Sequence, residues 1–261
     1  MLRSMPRVAQ RTVTDGAGLR QHWNGWTNFL LSGGCVPFDY EPPGIADIVD
    51  QLRRDDAVQY RDVQDAAASV EEFRKLPIER AMESSFSLAH SALTNFTSRG
   101  DLLAGLWPGG MAPWVSFMAG LGFSWYRCCP IIFVSGPGVP GHYHMDESHV
   151  VAWQLHGTKV FCGLREPQTW APLASALDPE WRQALRRPTA LGSAEVLQYE
   201  MPPGSVLWNQ PLTPHWVNAG DDGAVAASLN LSHGGLRLDG ALSPQGAALE
   251  ARYRDDSDER F

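Results

Sequence analysis

The densest group of metal-binding side chains is Gly141-His-Tyr-His-Met-Asp-Glu-Ser-His149. On a strand, side chains repeat with a period of two, so His144 and Asp146 project to one face. Two ligands at i and i+2 can grip one ion, and a third must come from elsewhere. His215, at the end of Pro-Pro-Gly-Ser-Val-Leu-Trp-Asn-Gln-Pro-Leu-Thr-Pro-His215, is the best candidate. Two imidazoles and one carboxylate on one face leave three positions open, the arrangement of non-haem Fe(II) oxygenases. Alone, His-x-Asp is a weak signal, since a histidine on a β-rich surface is more often a structural hydrogen-bonding residue. His142 shares the parity of His144, so His142, His144 and His215 form a competing set.

The surrounding spacing sharpens the reading. After His144-x-Asp146 come seven residues, Gln154, two residues, Gly157, one residue and Lys159. This pattern resembles the JmjC and cupin-like 2-oxoglutarate oxygenases, and most closely the asparaginyl hydroxylase that inhibits hypoxia-inducible factor. Gly204-Ser-Val-Leu-Trp followed by His215 is similar to the family's GDVL…H stretch, with the same offset from Gly to His. The resemblance covers about residues 125–232. It implies a double-stranded β-helix with Fe(II) held by His144, Asp146 and His215. It also implies that Lys159 meets the distal carboxylate of 2-oxoglutarate, and that Asn230 lies near the cosubstrate. Tyr126, Phe133, Gln154 and Trp208 are further candidates to line the pocket.

The sequence departs from the family at two points. Three residues before the first ligand the family often has a Thr that bonds 2-oxoglutarate, and here Gly141 stands there. Six residues after the Gly of GDVL it usually has Pro, and here Gln210 precedes Pro211. The cupins that use His-x-His usually add a Glu four or five residues after the second His, whereas Glu147 follows His144 by three. Lys159 has an alternative as an ordinary surface lysine, but its setting, Thr-Lys-Val-Phe-Cys, is an apolar strand.

These residues need a scaffold of short strands. Runs broken by Gly and Pro predict strands at 129–135, 142–146, 149–156, 158–164, 195–200, 204–209, 215–219 and 224–232. Eight such strands suffice for the two facing sheets of a jelly roll. Ahead of them, residues 1–25 read as an extended lead-in. Ile45, Ile48, Val49 and Leu52 share a helical face within 44–54. Ser69-Val-Glu-Glu72 is a capping-box pattern. Residues 80–125 carry no clear periodicity. Asp178-Pro179 opens a helix expected to run to Arg187, and Ser243-Pro244 opens a last helix that fades into an acidic tail. The expected architecture is therefore mainly β with flanking helices, a cupin-like jelly roll. One domain over 1–261 would comprise a mixed region (1–124), the jelly-roll core (125–232), and the last helix and tail (233–261).

Composition agrees. Ten Trp and ten Phe supply a full core. With 21 Lys and Arg against 29 Asp and Glu, the net charge of −8 argues against nucleic acid or an anionic membrane as partner. Four cysteines without a CxxC, and an N-terminus without an apolar signal region, point to reduced thiols in the cytoplasm. The expected reaction uses Fe(II), 2-oxoglutarate and O2, releases succinate and CO2, and hydroxylates an amino acid, a peptide or a small natural product. A cupin metal enzyme that does not use 2-oxoglutarate and a non-catalytic jelly-roll binding protein are the alternatives. The oligomeric state is open, a homodimer included.

Overall fold

The computed structural model describes residues 11–61, 70–91 and 101–258. The chain opens with β1 (Thr12–Val13), α1 (Gly16–His22), β2 (Phe29–Leu31), α2 (Ile45–Arg54) and β3 (Gln59–Arg61). After α3 (Val70–Lys75) and α4 (Ile78–Glu83) come β4 (Ser87–Ser91), α5 (Ala112–Gly120), β5 (Phe123–Ser124) and β6 (Arg127–Ser135). The central hairpin is β7 (His149–His156) and β8 (Lys159–Leu164), followed by α6 (Pro167–Trp170), α7 (Leu173–Ala176) and α8 (Pro179–Gln183). Then follow β9 (Val196–Met201), β10 (Val206–Asn209), β11 (Trp216–Ala219), β12 (Ala226–Gly234), β13 (Arg237–Leu238), β14 (Ala241–Leu242) and α9 (Pro244–Asp258).

Eight strands form one sheet in the order β1-β2-β10-β7-β12-β6-β4-β3, and β11-β8-β9 form a second. A continuous apolar run such as HVVAWQLH suits a strand covered on both faces, and β7 is buried along nearly its whole length. One face of the large sheet carries Val151, Trp153, Trp208, Leu229 and Leu231 into a core shared with Leu19, Ile48, Val49, Leu52, Trp114 and Met118 of the helices. The opposite face carries Ala152 and Leu207, which pack against Phe161, Tyr199 and Met201 of the second sheet. The two sheets therefore face one another, as the jelly-roll expectation requires.

Seven of the eight expected strands form, with ends shifted by up to two residues. The exception is 142–146. It contributes a single bridge, His144 with His215, and no strand. The lead-in expectation also needs correction, because Asp15 caps α1 by accepting from the Gly18 amide at 2.8 Å. Asp178 caps α8 as expected, accepting from the Glu180 amide, but the helix stops at Gln183. Residues ahead of Pro188 are biased away from helical geometry, which helps end it short of Arg187. The helix at 44–54 forms as α2 with Ile48, Val49 and Leu52 buried. Ser69 of the capping-box pattern lies outside the described residues. The weakly patterned 80–125 stretch supplies α4, β4, α5 and β5, apart from residues 92–100, which are not described.

The β7–β8 turn decides where Lys159 begins its strand. Gly157 has φ +59°, and a Cβ there would lie 2.6 Å from the Val225 carbonyl oxygen. The Gln154 side chain reaches across, donating to the carbonyls of His156 (2.7 Å) and Gly157 (3.1 Å). A left-handed residue bearing Cβ costs about 1–2 kcal/mol, and the carbonyl contact adds to it. Gly157→Ala should therefore lower the melting temperature by several degrees, roughly 2–8 °C for a chain of this size. Calorimetry checks this, and an unchanged Tm would show that the turn tolerates a side chain.

Candidate metal and oxo-acid site

His144 and His215 meet through their backbones. Each amide donates to the other's carbonyl at 2.9 Å, and the rings lie 4.2 Å apart, centroid to centroid. His144, expected on a strand, and His215, expected to come from elsewhere, thus meet through an isolated bridge. One ligand atom from each of His144, Asp146 and His215 falls within 4.8 Å of the others, and among the described residues no other such cluster exists. The His142 ring is not part of it.

Both imidazoles are set in the tautomer that a metal needs. His144 Nδ1 lies 2.8 Å from the His142 carbonyl, and His215 Nδ1 lies 3.0 Å from the Thr213 carbonyl. A carbonyl only accepts, so each Nδ1 carries the hydrogen and each Nε2 keeps its lone pair for a ligand bond. Burial, reinforced by the neighbouring His144 ring, holds the His215 imidazolium down to about 4, so this ring is neutral at pH 7. Asp146 Oδ1 is 3.9 Å from His144 Nε2, and Oδ2 is 3.5 Å from His215 Nε2. His215 is buried while His144 is half-exposed, which leaves the cluster open on one side. Two imidazoles and a carboxylate converging from one side fit a first-row divalent metal with free positions.

Several contacts hold this cluster still. Phe161 stacks on the His215 ring at 5.1 Å with the planes 10° apart. The Leu212 amide donates to the Asp146 carbonyl at 2.7 Å. Met145, between the two ligands, packs into a satellite core with Ala176, Leu212 and Leu249. Glu147 is tied to Arg182 and to Tyr253 of α9.

Lys159 lies between the sheets. Only 4% exposed, it donates to the Phe133 carbonyl and to Ser228 Oγ, both at 3.0 Å. Among the described residues no carboxylate pairs with it. Desolvation therefore pushes its ammonium down to about 7. It shares a face of β8 with Phe161, two residues on, so its Cα lies one repeat, roughly 6.5–7 Å, from that of the residue whose ring stacks on His215.

The register of the large sheet maps the floor between these points. Asn209, Val150, Ser232 and Cys129 form one row across β10, β7, β12 and β6. Leu207, Ala152, Asn230 and Ile131 form the next, and Gln154, Ser228 and Phe133 the one after. Asn209 contacts the ligand cluster and Ser228 contacts Lys159, so Asn230 stands between them. Its Oδ1 is buried without a partner; an oxo-acid, which only accepts hydrogen bonds, would be met by the Nδ2 hydrogens of the same amide.

The remaining candidates fall elsewhere or serve the frame. Gln154 pins the β7–β8 turn. Trp208 points to the opposite face from Asn209, into the outer core beside Phe29 and Trp114. Tyr126 is 78% exposed and lies across Gly234 and Gly235, at a cavity of about 390 Å³ shared with Glu147, Ser148 and Tyr253. His149 is buried against Trp23 and Trp208. A Cβ at Gly141 would lie 2.1 Å from the Val217 carbonyl oxygen, so no Thr fits there. Gln210 bonds Asn28 and the His22 carbonyl, stitching the end of β10 to the N-terminal segment. Asn209, Ser228 and Phe161 contact these groups without having been singled out from the sequence. Phe161, two residues beyond Lys159, carried the one available signal, the strand period.

Two outcomes follow. Lys159 holds its proton less tightly folded than unfolded, so between about pH 7 and 10.5 the unfolded chain binds more protons and stability without ligand rises with pH. Lys159→Met should flatten that rise and raise Tm at pH 7; a lower Tm with the rise intact would show that the ammonium is not the source. Gly141→Thr should cost about 1–3 kcal/mol by overpacking, read by denaturant melts, and unaltered stability would show that β11 can yield.

No protein-family model and no curated protein sequence matches the chain. Solved structures do. YcfD, a ribosomal oxygenase from Escherichia coli, aligns with 97% of this chain at 17% identity and a TM-score of 0.51. The same protein in complex with cobalt and 2-oxoglutarate aligns with 96% at 18% identity and a TM-score of 0.52. Its complex with cobalt and succinic acid aligns with 96% at 19% identity and a TM-score of 0.51. The chain spans 57–58% of the length of these relatives. At such identity the likeness is one of fold: this chain is built on the jelly-roll scaffold of the E. coli oxygenase.

Proposed function

We propose that the chain is an Fe(II)- and 2-oxoglutarate-dependent oxygenase, a hydroxylase acting on an amino acid, peptide or protein side chain. The observation that carries this reading is the buried Lys159 ammonium, without a carboxylate partner, one repeat from the ring that backs the metal cluster. A buried cation in that position suits a dicarboxylate anchored at one end by charge and chelated at the other. The fold likeness to an oxygenase solved with cobalt and 2-oxoglutarate, and with succinic acid, supports the same reading.

His144, Asp146 and His215 would hold the metal and leave three positions free, two for the oxo-acid and one for O2. When bound, Fe(II) supplies oxygen activation coupled to decarboxylation of the oxo-acid to succinate and CO2. The protein's part is positioning. Lys159 and Ser228 hold the far carboxylate, Asn230 offers its amide along the oxo-acid, and Phe161 keeps the His215 ring in plane. The open side of His144, towards solvent, is where a substrate would approach.

Protein substrates gain support from the structural relatives, which are ribosomal oxygenases. Four free cysteines fit a cytoplasmic setting, and among the described residues no helix is long and apolar enough to cross a membrane.

The test is succinate release from 2-oxoglutarate with Fe(II) and O2. His144→Ala and His215→Ala should each abolish it with the fold retained, and full release in both would discard the metal assignment. Lys159→Ala should weaken 2-oxoglutarate binding roughly 10- to 100-fold, the loss of a charge-assisted bond, with little change in metal affinity. With a substrate in hand, ¹⁸O2 and excess chloride should give a product carrying one labelled oxygen. A chlorinated product would show that Asp146 leaves its position open to halide.

A further inference from the structure

Asn209 is 1% exposed at the end of β10, and its side chain reaches the ligand cluster. Its Nδ2 donates to Asp146 Oδ2 at 2.8 Å and faces His215 Nε2 at 3.4 Å. The orientation of the amide is determined by its surroundings. Flipping it would set Oδ1 against a carboxylate oxygen and an imidazole lone pair, two acceptors. In the observed orientation Oδ1 is buried without a partner, a cost that the amide bears to keep its donor on Asp146.

We infer that Asn209 is a positioning residue that holds Asp146 as a one-oxygen metal ligand. This rests on the reading of His144, Asp146 and His215 as the metal site. Two features favour it. Asp146 lies in a loop that forms no strand, so no ladder fixes its side chain, whereas Asn209 is fixed by pairing with Val150 in the large sheet. The Asn209 hydrogen bond also takes one lone pair of Oδ2, which leaves Oδ1 as the oxygen without a hydrogen-bond donor on it and favours Oδ1 as the ligand. A carboxylate binding through one oxygen keeps three of six positions open. Binding through both would leave two, too few for a chelating oxo-acid and O2 together.

The test uses Co(II) titration of the 261-residue chain, with affinity and the visible ligand-field spectrum as readouts. Asn209→Leu, close in volume and without the donor, should weaken Co(II) binding by about 10- to 100-fold, the usual effect of removing a partner of a metal ligand, and alter the spectrum. Asn209→Ala provides a second variant, expected to act in the same direction, should Leu not fold. In an Asp146→Ala background the Asn209 substitution should have almost no further effect, because its action passes through the carboxylate. An equal loss in both backgrounds would reduce Asn209 to a structural strand residue and overturn the inference. So would wild-type affinity and spectrum in both Asn209 variants. Unaltered Co(II) binding in His144→Ala would instead remove the metal site itself, and the inference with it.

Discussion

The amides of His144 and His215 each donate to the other's carbonyl at 2.9 Å, and the site depends on this pair of bonds. They join a loop that precedes β7 to the residue just ahead of β11, so the two imidazoles are brought together by backbone rather than by their own chemistry. The bridge is isolated: His215 is followed at once by the β11–β8 ladder, whereas the His144–Asp146 segment has no ladder to hold it. The surrounding contacts supply the missing rigidity. Met145 packs, partly buried, against Leu212 and Leu249, Phe161 stacks on His215, and Asn209 holds Asp146 from the end of an interior strand of the large sheet. Each acts on a ligand from an element that is itself fixed by sheet pairing or by the satellite core.

The second constraint is the desolvated ammonium of Lys159. An unpaired buried charge is among the costliest features a fold can carry, and the chain retains it at the seam between its two sheets. The neutral partners, the Phe133 carbonyl and the Ser228 hydroxyl, accept two of its three hydrogens and leave its charge unpaired. A bound dianion would. The absence of room for Thr at Gly141 gives Ser228 added weight, because it is a hydroxyl already placed beside Lys159.

Much of this was legible in the sequence where a period of two or a turn signal governs. Strands β6 to β12 follow from apolar runs bounded by Gly and Pro, and the spacing from His144 to Lys159 pointed to the ligands and the cation. Less was legible where contacts are long-range. The 142–146 segment has strand-like alternation yet finds no neighbour to pair with beyond one bridge, because β11 begins only at Trp216. Asn209 reads as an ordinary strand residue, since nothing local says that Asp146 will come within 2.8 Å of it. Trp208 is a candidate in the sequence to line the pocket, but strand alternation turns it to the outer core. Where the family has Pro, Gln210 uses its backbone N–H to bind the Asn28 side chain and its side-chain Nε2 to bind the His22 carbonyl, both far away in sequence.

The central claim is that one metal ion at His144, Asp146 and His215 is chelated by an oxo-acid whose far end lies on Lys159. Anaerobic addition of 2-oxoglutarate to the Fe(II)-loaded protein tests it directly, because chelation by the keto and carboxylate oxygens creates a visible metal-to-ligand charge-transfer band. The account predicts a band that saturates at one oxo-acid per chain and requires both components. No band, with Fe(II) demonstrably bound, would contradict it.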